Sequence, residues 1–210
     1  MKIYYYLFII LIITTLNSCI IVKEDDNSEI IRAHEGTTYT LTPKPIIPMS
    51  ETYIRSESGD MVSLIPKDWI LLNIDNNTNP DIFAVAVNKD YTLSAVFNHV
   101  RQSSNLEDVY KTDGIIGVVN FTLNKKKQKT GGALNILGNI DFINIGPYQY
   151  AKYKTTTTGG AAYSHSVVFK STMNNFFEFA LVPINVMGKE IPNQKEIDDI
   201  FHSILSSVKY

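Results

Sequence analysis

The residues of this 210-residue chain that are best suited to chemistry are one cysteine and four histidines. A cysteine thiolate is a nucleophile, and imidazole is both a base and a common metal ligand. Cys19 stands where a long apolar run stops, and no second cysteine exists for a disulfide within the chain. The histidines are His34, His99, His165 and His202. None has a second histidine or a cysteine at the spacing of a metal site, so we expect no bound metal and no cofactor.

Residue types that can act in catalysis are adjacent in the segment Ser164-His165-Ser166. A hydroxyl and an imidazole form the nucleophile and base of serine hydrolases. This segment lies in a strand pattern, however, where alternation directs the two serines to one face and His165 to the other. The sequence also has no G-x-S-x-G turn and no Walker loop. We therefore expect a protein without catalytic residues, and the alternative is a hydrolase whose active-site residues are dispersed along the sequence.

The segment before Cys19 has the features of an export signal. Lys2 supplies a positive charge, and residues 3–16 form an apolar run. As a helix this run would span about 21 Å, at a rise of about 1.5 Å per residue. The apolar core of a bilayer is about 30 Å thick, so the length favours a signal peptide. The alternative is an anchoring helix that continues through Ile20-Ile21-Val22.

The residues around the cysteine, Leu16-Asn17-Ser18-Cys19, resemble the lipobox of bacterial lipoproteins. The resemblance implies that residues 1–18 are removed and that the thiol of Cys19 carries a diacylglyceryl group. Two or three acyl chains anchor a protein firmly, whereas one chain gives marginal binding. We therefore expect Cys19 to be the lipidation site of a membrane-anchored protein of the bacterial cell envelope.

Two features bear on which envelope membrane holds the anchor. Lys23-Glu24-Asp25-Asp26 is similar to the surface-export signal of lipoproteins in the Bacteroidetes group, and its other interpretation is a solvated charge run that opens a linker. No aspartate follows Cys19, so the inner-membrane retention signal of enterobacterial lipoproteins is absent. We expect the outer membrane, with the inner membrane as the alternative.

Beyond the anchor, residues 19–55 predict a lipidated N-terminus and a flexible tether. Charged residues, Ser and Thr are frequent there, three prolines interrupt it, and a short strand is predicted at 37–42. Residues 56–210 predict a single domain. Its pattern indicates strands at 61–65, 69–74, 82–87, 91–100, 140–145, 148–157, 161–171 and 176–184, with a helix from Leu106 to about Lys127. The short link between the runs 82–87 and 91–100 predicts an antiparallel hairpin.

The clearest predicted element is a C-terminal helix. Asn193 followed by Glu196 resembles a capping box at its start. Its apolar stripe comprises Ile197, Ile200, Phe201, Ile204, Leu205 and Val208. Burying six such side chains is worth roughly 10 kcal/mol, so the stripe is expected to pack on a sheet.

The order strands, helix, strands, helix predicts an α+β domain, with a largely antiparallel sheet packed by a central and a C-terminal helix. It resembles the PsbP-like fold, shared with the DcrB-like bacterial envelope lipoproteins. The matching features are Gly59, the segment Met61–Trp69, the segment Ile200–Ile204 and Ser207-Val208. The resemblance implies a layered sandwich over about residues 55–208. Proteins with the PsbP-like fold include envelope lipoproteins, chaperone-like binders and photosystem accessory subunits. The resemblance therefore implies interaction more than catalysis.

The net charge and two candidate binding segments indicate which kinds of partner the protein could bind. The formal net charge is −2 and no dense basic face occurs, which argues against nucleic acid. The segment Lys125–Lys129 either complements the dipole at a helix end or binds anionic headgroups or an acidic partner. Tyr148, Tyr150 and Tyr153 are either a partner-binding platform or core residues. We expect a non-catalytic binding or assembly module with an envelope protein partner, and a purely structural lipoprotein is a further alternative.

Overall fold

The computed structural model of the protein describes residues 33–74, 79–101, 105–157 and 162–210. Cys19 and the expected signal peptide lie outside these ranges. The described residues form ten strands and two helices. In chain order these are β1 (Glu35–Leu41), β2 (Met49–Arg55), β3 (Val62–Pro66), β4 (Ile70–Leu72), β5 (Ile82–Val87), β6 (Leu93–His99), α1 (Leu106–Lys129), β7 (Leu134–Ile145), β8 (Tyr148–Thr157), β9 (Ser164–Lys170), β10 (Phe176–Pro183) and α2 (Gln194–Ser207).

Eight of these strands form one sheet in the order β1-β7-β8-β9-β10-β6-β5-β4, and β2 pairs with β3 separately. Among the described strands, only β1 runs parallel to its neighbour, and the other pairs are antiparallel. The predicted β5–β6 hairpin is confirmed, and the Asn88 side chain stabilises its turn by accepting from the Thr92 N–H at 2.8 Å. The α+β class with a largely antiparallel sheet and two helices is therefore confirmed.

The central strands bury both of their faces. In β9, Val167 and Phe169 lie in one core cluster, whereas Val168 between them lies in the other. Because successive side chains of a strand point to opposite faces, the two clusters lie on opposite faces of the sheet. Helix α2 and the β2–β3 hairpin contribute to the first cluster, and α1 contributes to the second.

Helix α2 has the predicted amphipathic character and cap. The Asn193 side chain accepts from the Glu196 N–H at 3.1 Å, and the Glu196 carboxylate accepts from the Asn193 N–H at 2.9 Å. This arrangement confirms the capping box. Five residues of the predicted apolar stripe are buried, and the sixth, Ile200, is half-buried against the same cluster. The Phe201 ring stacks on Phe179 of β10 with centroids 5.4 Å apart.

Helix α1 is interrupted where the sequence carries its glycines. Gly114 has φ 64° and ψ −155°, which is not helical, so two helical segments meet there at a kink. Glycine adopts this conformation without steric cost. A Cβ added at Gly117 would lie 2.7 Å from the Asp113 Cβ and 2.9 Å from the Val109 Cγ1. The kink and the close approach of the first segment therefore both depend on glycine.

The folded part of the chain begins earlier than the sequence predicts. Residues 35–55, assigned above to a tether, contain β1 and β2, and the short strand predicted at 37–42 is the C-terminal part of β1. Tyr39 and Leu41 of β1 are half-buried against the first core cluster. The rest of β1 is mostly exposed because the strand lies at the edge of the sheet. An edge strand with so few buried residues resembles a linker in composition, which explains the misplaced boundary.

Candidate functional site

Helix α1 covers only part of its face of the sheet. It packs on β7, β8 and β9, at one side of the strand order. Leu72, Val85, Val96 and Ala180 form a row of directly paired residues across β4, β5, β6 and β10. Paired residues of antiparallel strands present their side chains on one face. Along this row Ala180 is buried, Val96 and Val85 are half-buried and Leu72 is 38% exposed, so an apolar strip emerges beyond the helix.

A cleft of about 260 Å³ lies between the C-terminal half of α1 and strands β5, β6 and β10. We refer to it as the α1 cleft. Its apolar lining is Ile82, Val96, Val100, Phe121, Ala180 and Val182. Three lysines of α1 and the carboxylates of Asp81 and Glu178 also line it. An apolar cavity with a few polar groups is the usual form of a ligand site.

A buried carboxylate lies at one side of the α1 cleft. The Glu178 side chain is 2% exposed and accepts hydrogen bonds from the Lys126 Nζ and the Tyr153 hydroxyl. The Asn98 amide nitrogen lies 3.4 Å from its second oxygen. Burial, followed by the charge of Glu178, raises the pKa of the Tyr153 phenol well above its usual range. Because a buried carboxylate is costly unless it is paired, this network fixes Glu178 and Lys126 in place.

The lysines of the cleft differ in their partners. Lys125 lies 3.0 Å from the Asp81 carboxylate, which also lies 3.3 Å from the Arg101 guanidinium. Lys126 pairs with Glu178. In the part of the chain that the structure describes, Lys129 has no carboxylate within 4.0 Å. The predicted lysine segment is thus not a uniform solvated helix end: two of its charges are paired, and Lys129 stands exposed at the cleft.

The predicted tyrosine platform is wrong. Tyr150 and Tyr153 are fully buried and belong to the two core clusters on opposite faces of the sheet, so they share no surface. Tyr148 is half-buried, and its ring lies 4.4 Å from that of Tyr210. The alternative interpretation, that these are core residues, is confirmed for Tyr150 and Tyr153. Strand β8 lies between β7 and β9, where both faces are covered.

The structure brings His165 and Asp198 together, which the sequence analysis missed. The His165 Nδ1 lies 3.7 Å from the Asp198 carboxylate, and its Nε2 lies 3.2 Å from the Gln194 amide nitrogen. Asp198 follows 33 positions later on α2, so no local spacing reveals the pair. Burial lowers the pKa of His165 to about 4. As predicted, His165 and Ser166 point to opposite faces, and the fully buried ring does not reach the surface.

The other three histidines lie apart from one another in the structure. His34 is exposed, His99 lines the α1 cleft, and His202 donates from Nε2 to the Thr42 carbonyl at 2.8 Å. Within residues 33–74, 79–101, 105–157 and 162–210, no three His, Cys, Asp or Glu side chains cluster as metal ligands do.

No helix within these same ranges is long and apolar enough to cross a bilayer.

Comparison with known proteins identifies the fold. No family model and no curated sequence matches the chain at a significant level. The solution structure of cyanobacterial PsbP (CyanoP) from Synechocystis is similar, with a TM-score of 0.54 over 79% of this chain and 94% of that one. The fold is PsbP-like. At 14% identity the likeness concerns the fold alone, and it supports the resemblance seen in the sequence.

Two further solved structures are more distant. A crystal structure from Bacteroides thetaiotaomicron has a TM-score of 0.38 and 13% identity, covering 75% of this chain and 47% of that one. The apo structure of immunity protein TplEi of T6SS from Pseudomonas aeruginosa has a TM-score of 0.33 and 11% identity, covering 78% of each chain. Neither adds to the assignment, which rests on the PsbP-like match.

Proposed function

We propose that this protein is a lipid-anchored component of the bacterial cell envelope whose PsbP-like layered-sandwich domain is a non-catalytic binding module. The lipobox-like sequence at Cys19 supports the anchor, and the outer membrane is its proposed address. The domain engages its partner at the α1 cleft. The observation that carries the binding role is the apolar strip of β4, β5 and β6 that α1 leaves uncovered.

The uncovered strip favours binding for a physical reason. A contiguous apolar patch in water is unfavourable by about 25 cal/mol for each Å² that a partner would bury. Such patches on a folded domain mark interaction sites more often than accidents of packing. Here the patch continues into a cleft and is bordered by lysines, which supplies both an apolar contact area and polar groups that orient a ligand.

The same site favours binding over catalysis. Its two carboxylates are engaged by cations, Glu178 with Lys126 and Asp81 with Lys125. The oxygens of both carboxylates therefore already have protein partners. The buried His165 ring and the exposed Asp198 carboxylate of α2 lie on the other face of the sheet.

Site-specific photocrosslinking tests the proposed binding site. Phe121 lines the cleft and is replaced by p-benzoylphenylalanine, which keeps the aromatic ring and adds a photoreactive benzoyl group. Tyr53, which is 61% exposed on β2, provides the matched control. After irradiation of intact cells, we expect an adduct from position 121 and none from position 53. Gel mobility and mass spectrometry then separate a protein adduct from a small one. No adduct at 121, or equal yields at both positions, would contradict the proposal.

The anchor is tested separately by Cys19→Ala. Removal of the thiol should abolish incorporation of labelled palmitate and leave the precursor uncut by the lipoprotein peptidase, since both steps need the modified cysteine. Immunoblotting with the label measures both results. The matched control is Ser28→Ala, which changes a hydroxyl outside the lipobox-like segment. Unchanged labelling in Cys19→Ala would refute the lipoprotein assignment.

A further inference from the structure

We infer that the α1 cleft binds a free fatty acid: a single acyl chain whose carboxylate lies at Lys129. This inference rests on the proposed function, because it names the class of ligand for the same cleft. Three features of the described residues support it, namely the size of the cleft, the balance of charge around it and the position of Lys129.

The cleft has room for one apolar chain. Sites for drug-sized ligands measure roughly 300–1,000 Å³. At about 260 Å³ the α1 cleft lies just below that range, which suits one chain of a lipid and not two. Val96 and Val182 on the sheet and Phe121 on α1 supply apolar surface on both sides. The uncovered strip then extends the apolar path past Val85 to Leu72 at the edge of the sheet.

The charge around the cleft favours one negative charge on the ligand. Three lysines face two carboxylates in its lining. Within the lining, Lys126 pairs with Glu178 and Lys125 pairs with Asp81. Arg101, which also contacts Asp81, lies outside the lining of the cleft. Lys129 is therefore a surplus cation at the cleft. A neutral ligand would form no ion pair with Lys129, and a cationic ligand would be repelled by it.

Lys129 is not needed to stabilise the end of α1. A basic residue in a last turn often compensates the free carbonyl groups there. Here the Thr130 N–H and hydroxyl donate to the Lys126 and Lys127 carbonyls, at 3.0–3.2 Å. The Gly131 and Gly132 N–H groups donate to the carbonyls of Gln128 and Lys127. Because the backbone caps itself, the Lys129 ammonium remains available to a carboxylate.

Calorimetric titration of the chain from residue 19 onward, carrying Cys19→Ser, tests the inference. This chain contains every residue that the structure describes and carries no lipid. The probes are dodecanoate and dodecyltrimethylammonium, each below its micellar concentration, and dodecan-1-ol below its solubility limit. We expect dodecanoate to bind one to one, and the alcohol to bind about tenfold more weakly because it lacks the charge-assisted hydrogen bond. The cationic probe should bind most weakly.

Four variants separate the roles of charge and shape. Lys129→Gln should weaken dodecanoate about fivefold and leave dodecan-1-ol unchanged, whereas Lys129→Arg should retain dodecanoate binding. Val96→Trp should abolish binding of both, because the indole fills the cleft. Lys89→Gln, an exposed lysine in the β5–β6 turn, is the matched control and should change nothing. Circular dichroism establishes that each variant is folded.

The possible failures are distinguishable. Equal affinity for dodecanoate and dodecan-1-ol, or no effect of Lys129→Gln, would overturn the anionic ligand and leave the binding module standing. Binding to phosphatidylglycerol vesicles in the absence of dodecanoate binding would also overturn it, since the ligand would then be a membrane lipid. No binding of any probe, together with crosslinks at position 121, would refute the fatty acid alone. No binding and no crosslinks would refute the proposed function as well.

Discussion

The two faces of the sheet are built in different ways. The α2 face packs against α2 and the β2–β3 hairpin, and aromatic rings stack across it from Phe97 through Phe179 to Phe201. The α1 face is covered over β7, β8 and β9 and open over β5 and β6, with charged side chains where the cover ends. The first arrangement maximises buried apolar area, whereas the second retains apolar surface in water. Under the proposed function, binding uses the α1 face, whereas the aromatic core lies on the α2 face.

The largest expected effect is the loss of the Phe201 ring from the α2 face. Phe201→Ala should cost about 3–5 kcal/mol of unfolding free energy, because a buried aromatic side chain leaves a cavity. Phe121→Ala on the α1 face is the matched change, and it should cost less than half as much because Phe121 is half-buried at an existing cleft. Urea denaturation measures both. A Phe201→Ala cost below about 1 kcal/mol, or equal costs for the two variants, would contradict the comparison.

The second effect is a pH dependence that originates on the α2 face. Burial holds the pKa of His165 at about 4, below its ordinary 6.5, with Lys152 acting in the same direction and Asp198 opposing it. Between pH 6.5 and about 4 the unfolded chain binds a proton that the folded protein does not, so stability falls as the pH falls through this window. At about 1.4 kcal/mol per pKa unit, the loss is roughly 3 kcal/mol.

Urea denaturation of the protein and of His165→Gln at pH 7, 5.5 and 4 checks this window. The variant lacks the titrating ring, so the difference in stability between the two proteins should change with pH in that interval. A difference that stays constant from pH 7 to pH 4 would refute the assignment to His165.

A smaller effect is expected from the buried ion pair on the α1 face. Lys126→Ala should cost about 2 kcal/mol, because the Glu178 carboxylate loses its cation while it stays buried. Lys125→Ala, whose lysine is 42% exposed beside Asp81, is the control and should cost less than about 1 kcal/mol. Adding Glu178→Gln to Lys126→Ala should recover part of the loss. Chemical denaturation that finds Lys125→Ala the costlier change would contradict this ranking.

The smallest effect on stability is expected at the edge of the open strip. Leu72→Lys should change the unfolding free energy by less than about 0.5 kcal/mol, because the side chain is 38% exposed. The same substitution interrupts the apolar path and should lower the yield of the Phe121 photocrosslink. An undiminished crosslink would show that the ligand stops short of β4.

Local patterns predicted the elements that depend on local interactions. The cap at Asn193, the apolar stripe of α2 and the β5–β6 hairpin each involve residues close in sequence, and each is present in the structure. Strand β7 begins six residues earlier than the predicted start at residue 140. The pairing shifts register around Gly138, whose φ of 74° accommodates a bulge where the sequence suggests a break.

The site depended on long-range geometry and was not predictable in the same way. The cleft exists because α1 lies over β7–β9 and not over β5–β6, and this displacement leaves no local pattern. Tyr150 and Tyr153 are buried because a core cluster covers each face of β8, which strand periodicity does not reveal. The lysine segment Lys125–Lys129 is visible in the sequence. Its division into paired and unpaired charges needed the positions of Asp81 and Glu178.

The parallel pairing of β1 with β7 has a consequence for the order in which the chain folds. Thr37 of β1 contacts Asp141 of β7 across 104 positions, and β6 pairs with β10 across a similar stretch. A chain that crosses a membrane from its N-terminus onward therefore emerges with β1 long before β7 exists to receive it. Closing so long a loop is slow, and no contacts compensate for the lost chain entropy until β7 is present. Under the proposed export, the first strand to emerge would therefore be among the last to join the sheet.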